Sequence, residues 1–200
     1  MNELVASIRS GFTGLLRFSG RDTASRFWPY AGLVIALFFL ATAAIVAPTV
    51  MSSFAKMQAF AIAHPDQATI TQGAGSYSIE IHGDHPELMP DMTPFFAVMR
   101  AGCAVAVALL AAAVTRRLHD RGRRGWWGLP PLVFLTTGMI LFPPIFQTMM
   151  RQSDVSPGTL AMFGLIFANN ILYLASLGLL IFLLAGASQA GENRFGPPAP

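Results

Sequence analysis

Charge is scarce in this 200-residue chain: Asp, Glu, Lys and Arg make up 12% of it, about half the ~25% of an ordinary soluble domain. So few charges cannot coat a globular surface. Cysteine occurs once, at Cys103, which excludes a disulfide within the chain, a four-thiolate zinc site and a CxxC redox pair. Lysine also occurs once, at Lys56, so the basic residues are otherwise arginines. Catalytic signatures are missing as well. There is no GxxxxGK[ST] loop, no GxGxxG after a strand and no HExxH. Gly186-Ala187-Ser188-Gln189-Ala190 lacks the strand that a nucleophile elbow requires.

What the chain has instead is apolar length. Apolar residues reach 54% and the mean hydropathy is +0.53. About 20 mostly apolar residues suffice to cross a bilayer, and four stretches qualify: about 27–50, 94–115, 126–147 and 163–187. Acidic residues are absent from all four, whereas most proton-coupled carriers hold intramembrane carboxylates. The chain reads as an all-α integral membrane protein with four transmembrane helices. Ala41-Thr42-Ala43 resembles a signal cleavage site. The 26-residue leader is long for a signal peptide, however, and the apolar run continues past it, so this stretch reads as a span.

Arginine placement sets the orientation. Arg9, Arg17, Arg21 and Arg26 precede the first span; Arg116, Arg117, Arg121, Arg123 and Arg124 separate the second from the third; Arg194 follows the fourth. The opposite side has Lys56, Arg100 and Arg151. This alternation predicts that both termini are cytoplasmic. The leader, residues 1–26, spaces Leu4, Val5, Ile8, Phe12, Leu15 and Leu16 at helical intervals, the pattern of an amphipathic helix lying in the interface. Residues 51–93 form the outer loop. There Tyr77, Ile79 and Ile81 alternate with Ser78, Glu80 and His82, predicting a short strand that needs a partner, such as 68–71. Thr148–Thr159, with Pro157-Gly158, reads as a turn. Pro143-Pro144 reads as a helix end or a kink. Residues 188–200 form a cytoplasmic tail.

The densest chemistry is TRRLHDRGRRGWWGLP, Thr115 to Pro130. Three readings compete for its Arg116, Arg117, His119, Asp120, Arg123 and Arg124. The first is a positive-inside loop with Trp126 and Trp127 at headgroup level, like Trp28 at the start of the first span. The second is an anion site, since guanidinium forks grip phosphates and basic loops attract anionic lipid headgroups. The third is a clasp, in which Asp120 and Glu192 pair with arginines from other segments, among them Arg21 and Arg194, and Asn193 extends the network. In the clasp Asp120 is the central acceptor, shielded by Trp126 and Trp127.

Three segments together carry a resemblance. FSGRDTASRFW (Phe18 to Trp28), RRLHDRGRRGWW (Arg116 to Trp127) and GENRFGPPAP (Gly191 to Pro200) resemble domain-of-unknown-function family 805, the YhaH-like small inner-membrane proteins of bacteria. Two departures stand out. Ala24 occupies the position of the family's second arginine, with Arg26 two residues on, and the 43-residue outer segment looks like an insertion. The resemblance implies the membrane domain and, since the family has no established activity, no reaction.

Other polar features have modest readings. Arg100, inside the second span, snorkels to the interface, pairs with Asp91 or Glu87, or lines a substrate path. Asn169 and Asn170 hydrogen bond between helices. His82, Asp84, His85 and Glu87 form a weak metal candidate whose spacing matches no established site. No cofactor and no nucleic acid are expected. The expected partners are the bilayer, anionic headgroups, and a protein partner or a second copy. The leading expectation is a non-enzymatic accessory or scaffold subunit. A small channel or lipid-interacting transport protein is the alternative. A membrane enzyme with His119 and Asp120 as acid and base on a phosphorylated lipid is the third.

Overall fold

A computed structural model describes residues 2–83, 85, 88, 91–151 and 156–198. In chain order the elements are α1 (Asn2–Thr13), α2 (Ala24–Ala63), β1 (Ala68–Gly73), β2 (Ser76–Ile81), α3 (Thr93–Asp120), α4 (Leu129–Arg151) and α5 (Pro157–Ala185), with a 3-10 turn at Gly125–Gly128 ahead of α4. Four of these helices are long and apolar enough to cross a membrane. The protein is a multi-pass membrane protein.

Several helix boundaries differ from those the sequence predicts. Helix α2 continues thirteen residues past Val50, to Ala63. Met51–Ala63 contains neither glycine nor proline and is rich in Ala, Met and other helix formers; the helix stops ahead of Pro65. The outer connection is therefore helical over its first part. Helix α5 starts six residues before 163. Ser156 is its N-cap and accepts the Thr159 N–H at 3.2 Å, with Pro157 in the first turn. Pro157-Gly158 is thus a helix start, where a missing N–H costs nothing, not the turn its composition suggests. Pro143 and Pro144 lie within α4, which continues to Arg151.

The chain divides into two compact units, Met1–Phe38 with Met99–Pro200, and Phe39–Val98. In the first, Phe27, Tyr30, Ala31 and Val34 of α2, Ala113 and Leu118 of α3, and Leu180, Leu183 and Leu184 of α5 form a buried cluster. The Tyr30 hydroxyl, which needs a partner at that depth, donates to the Leu109 carbonyl at 2.9 Å. Gly102 lets α3 approach the Phe38 ring, which a Cβ there would meet at 3.0 Å. Helix α1 docks through its small residues. Ser7 donates to the Arg26 carbonyl at 2.5 Å, and Gly11 lies flat against the Tyr30 ring. Its large apolar residues Leu4, Val5 and Phe12 stay exposed, the face that an interfacial helix turns to lipid.

In the second unit β1 and β2 form an antiparallel hairpin, with Ile70 opposite Ile79 and Ala68 opposite Ile81. Gly75, at φ +86°, makes the reversal. The Tyr77 ring meets Phe54 edge-on at 5.9 Å. The predicted strand and its partner both form, and β1 runs two residues beyond 71. At the entry to α3 the Asp91 carboxylate accepts the Thr93 N–H at 2.9 Å, a bond that holds its pKa below the ordinary carboxylate value.

Candidate functional site: a buried arginine cap

The end of α3 is fixed by its sequence. Gly122 adopts φ +67°, its N–H bonds to the His119 carbonyl at 2.9 Å, and the Arg123 N–H bonds to the Leu118 carbonyl at 2.8 Å. This pair of bonds is a Schellman closure, which favours glycine at the left-handed position. It turns the chain sharply away and leaves Arg116, Arg117 and Asp120 on the last turn of α3 facing two other segments. One runs from Gly14 to Asp22, the other from Leu184 to Gly196.

Asp120 is the centre. Its side chain is 1% exposed; Oδ1 accepts Arg21 Nε at 3.1 Å and Oδ2 accepts Arg117 Nη1 at 2.5 Å. Arg117 is fully buried. It also donates through Nε to the Leu184 carbonyl at 2.9 Å, through Nη2 to the Gly186 carbonyl at 2.6 Å and through Nη1 to the Ser188 hydroxyl at 3.2 Å. The carbonyls of Leu184 and Gly186 sit where α5 ends and have no helical partner of their own. A cation at a helix C-terminus is electrostatically favourable as well. Arg117 therefore serves as the cap of α5.

Arg116 ties down the segment that follows α1. Its Nε pairs with Asp22 Oδ2 at 2.7 Å, and its Nη1 donates to the carbonyls of Gly14 and Arg17 at 2.7 and 2.6 Å. The Asp22 N–H in turn donates to the Arg116 carbonyl at 3.2 Å. Arg21 reaches the tail, donating to the carbonyls of Gln189 at 2.5 Å, Gly191 at 2.7 Å and Gly196 at 3.3 Å. Three guanidinium groups thus face two carboxylates, and backbone carbonyls take up most of the remaining donors. A planar fork with five N–H groups suits this task, and a lysine does not.

The tail closes over the site. The Gln189 N–H bonds to the Asp120 carbonyl at 2.9 Å. Asn193 and Gly196 exchange backbone bonds in a tight loop, with Gly191 and Gly196 at φ +72° and +112°. Asn193 donates to the His119 carbonyl at 3.0 Å. The Phe195 ring stacks on His119 at 3.8 Å and 8°, while His119 Nδ1 lies 3.3 Å from the Gly20 carbonyl.

The residues singled out in the sequence divide sharply. Arg21, Arg116, Arg117, His119, Asp120 and Asn193 meet in this cap. Arg194 takes part from the surface, donating to the Gly122 carbonyl at 3.0 Å and lying over Phe195. Glu192 is a correction: it is exposed and makes no ion pair among the described residues. Arg21 meets that segment through carbonyls instead, because the tight Asn193–Gly196 loop presents its backbone. Arg123 and Arg124 are exposed and outside the network. The cover of Asp120 comes from Arg21, Arg117 and the tail backbone. Trp127 packs on the apolar cluster and stacks with Trp126, itself 52% exposed. Trp28 lies edge-on to Phe27.

Elsewhere, Asn169 donates to the Phe134 carbonyl of α4 at 3.0 Å, whereas Asn170 turns back on Ile166 of its own helix. Arg100 is exposed on α3. His82 Nε2 lies 2.9 Å from Thr69 Oγ1 and the His85 ring packs on Phe60. Asp84 and Glu87 fall outside the described residues, and no metal-capable group of three occurs among those described.

Sequence reasoning missed the carbonyl acceptors, the Phe195 stack and Arg121. The Arg121 Nη1 is enclosed without an acceptor among the described residues, and its guanidinium lies where a Cβ on Gly186 would be. Gly186 was the available signal for a backbone pressed close to an arginine, and Gly191 and Gly196 for a tight loop at positive φ.

A buried arginine cap at the end of α3, in a chain with four helices apolar enough to cross a membrane, defines the protein as a multi-pass membrane protein with a polar cluster at its helix ends. The family model of the DUF805 proteins, whose function is unknown, matches residues 15–197, and the chain belongs to that family. No curated protein and no solved structure matches it.

Proposed function

We propose that the protein is a non-enzymatic accessory or scaffold subunit of the bacterial inner membrane, with the arginine cap on the cytoplasmic side. The observation that carries this reading is the occupancy of Asp120: it is 1% exposed and both carboxylate oxygens are held by arginines. A general acid or base needs a free oxygen within reach of substrate, and one face of the His119 ring is stacked on Phe195. The cluster is built to hold three chain segments together, which supports a rigid platform over a reaction centre. The arginine count on the two sides of the spans supports cytoplasmic termini.

The test is Asp120→Asn. Uncompensated arginines in a buried cluster lower the melting temperature in detergent and expose the tail after Ala187 to protease. A variant that melts like the wild type and keeps its tail protected overturns the reading. Orientation is tested separately in a Cys103→Ser background. An impermeant thiol reagent labels Ala74→Cys in intact cells and leaves Arg123→Cys unlabelled; the reverse pattern inverts the topology.

A further inference from the structure

Beside the cap, within the same unit, lies a cavity of about 360 Å³ lined almost wholly by carbon. Its walls come from α3, α4 and α5, with Phe18 and Phe38 closing two corners. It follows α3 from Cys103 to Thr115, twelve residues or about 18 Å at 1.5 Å per residue. One leaflet of a bilayer has a hydrocarbon depth of about half of ~30 Å. The slot therefore has the length of one leaflet's acyl chain. Water does not fill such a space, because a buried water needs several polar partners.

No charged side chain lines the cavity itself, and the charged residues that stand next to its lining in the chain are arginines. Gly125 and Gly128 line the slot at the end nearest the cap, and Gly125 lies so close to Thr115 that a Cβ there would clash at 2.6 Å. Arg123 and Arg124 immediately precede Gly125, both exposed, and neither pairs with a carboxylate among the described residues. They contrast with Arg21, Arg116 and Arg117, whose donors are engaged. Arg17, also exposed, precedes Phe18, which lines the slot as well.

We propose that this slot binds one anionic phospholipid, an acyl chain lying along α3 from Thr115 to Cys103 and the phosphate held by Arg123 and Arg124. The proposal rests on the membrane reading of the four helices and is independent of the cap's role, since it uses no residue whose side chain belongs to the Asp120 network. An apolar slot flanked in the chain by arginines selects chain and headgroup together. Its occupant is a structural lipid that fills the gap between α3 and the α4–α5 pair.

The chain's single cysteine reports occupancy. In phosphatidylcholine–detergent micelles, adding dioleoylphosphatidylglycerol slows alkylation of Cys103 by N-ethylmaleimide at least fivefold, and the same mole fraction of added phosphatidylcholine does not. Arg123→Gln/Arg124→Gln requires about tenfold to thirtyfold more phosphatidylglycerol for the same protection, from about 1 kcal/mol per surface arginine. Ala106→Phe fills the slot and loses the phosphatidylglycerol that native mass spectrometry finds retained by the wild type. Unchanged alkylation of the wild type overturns the proposal, and so does equal protection by phosphatidylcholine. Undiminished phosphatidylglycerol protection in the double variant also overturns it. If Ala106→Phe fails to fold, the wild-type and double-variant rates still decide. A failure here leaves the Asp120→Asn result standing, and the converse holds too.

Discussion

The cap and the hairpin are both polar segments attached to apolar helices, and they are held by opposite means. In the cap, Arg21 bonds Asp120 across 99 positions and Gly196 across 175. In the hairpin, Thr69 finds His82 thirteen positions away, and the ladder joins neighbours around Gly75. Cap charges are buried against one another, whereas Tyr77 and much of the hairpin are exposed. Charge taken out of water must be matched closely and is costly to unmatch. Exposed pairs are worth little either way. The cap is therefore the brittle region of the molecule and the hairpin the tolerant one.

The sharpest way to break this contrast is Arg117→Gln. It leaves Asp120 half neutralised and uncaps α5, so we expect a loss of about 3 kcal/mol or more, read as a large drop in melting temperature. A cap that tolerates it is not buried in solution. Gly122→Val comes next, at about 1–3 kcal/mol for a β-branched residue held at positive φ, with further crowding against Gln189. Its signature is faster proteolysis of the tail at moderate loss of stability. Asn169→Leu removes the bond to the Phe134 carbonyl and costs about 0.6–1 kcal/mol, visible as a small melting shift without any change in the tail. The smallest effect belongs to the hairpin. Tyr77→Ala forfeits the Phe54 contact and costs under about 1 kcal/mol. Hydrogen exchange accelerates in β1 and β2 while the cap's protection stays the same; loss of cap protection would abolish the contrast.

The same division governs how much can be read from residues alone. Helices followed from apolar length, and the hairpin from the alternation at Tyr77, Ile79 and Ile81, because both signals are local. Boundaries such as Ala63 and Ser156 depend on where apolar length yields to ordinary helix propensity, so composition blurred them. The gathering of Arg21, Arg116, Arg117 and Asp120 was visible because topology puts their segments at one face. Their partners were hidden, since backbone carbonyls such as those of Leu184 and Gly191 have no letter in a sequence. Glu192 shows the resulting error: a carboxylate in the right segment was paired by charge, while the loop geometry offers Arg21 the neighbouring carbonyls.

The tight loop from Gly191 to Gly196 also imposes an order of events. During synthesis Arg21 is made early, and Arg116 finds its acceptors in the equally early Gly14, Arg17 and Asp22, yet the carbonyls that take up the remaining donors of Arg117 and Arg21 come from the end of α5 and the tail after it. Until Gly196 has left the ribosome, Arg21 lacks its tail acceptors and Asp120 lacks the cover of Gln189. A chain stopped at Ala187 would contain all four apolar helices described above and still leave the Arg21 guanidinium without its carbonyl acceptors. Closure of the loop therefore completes the cap, an event separate from insertion of the helices.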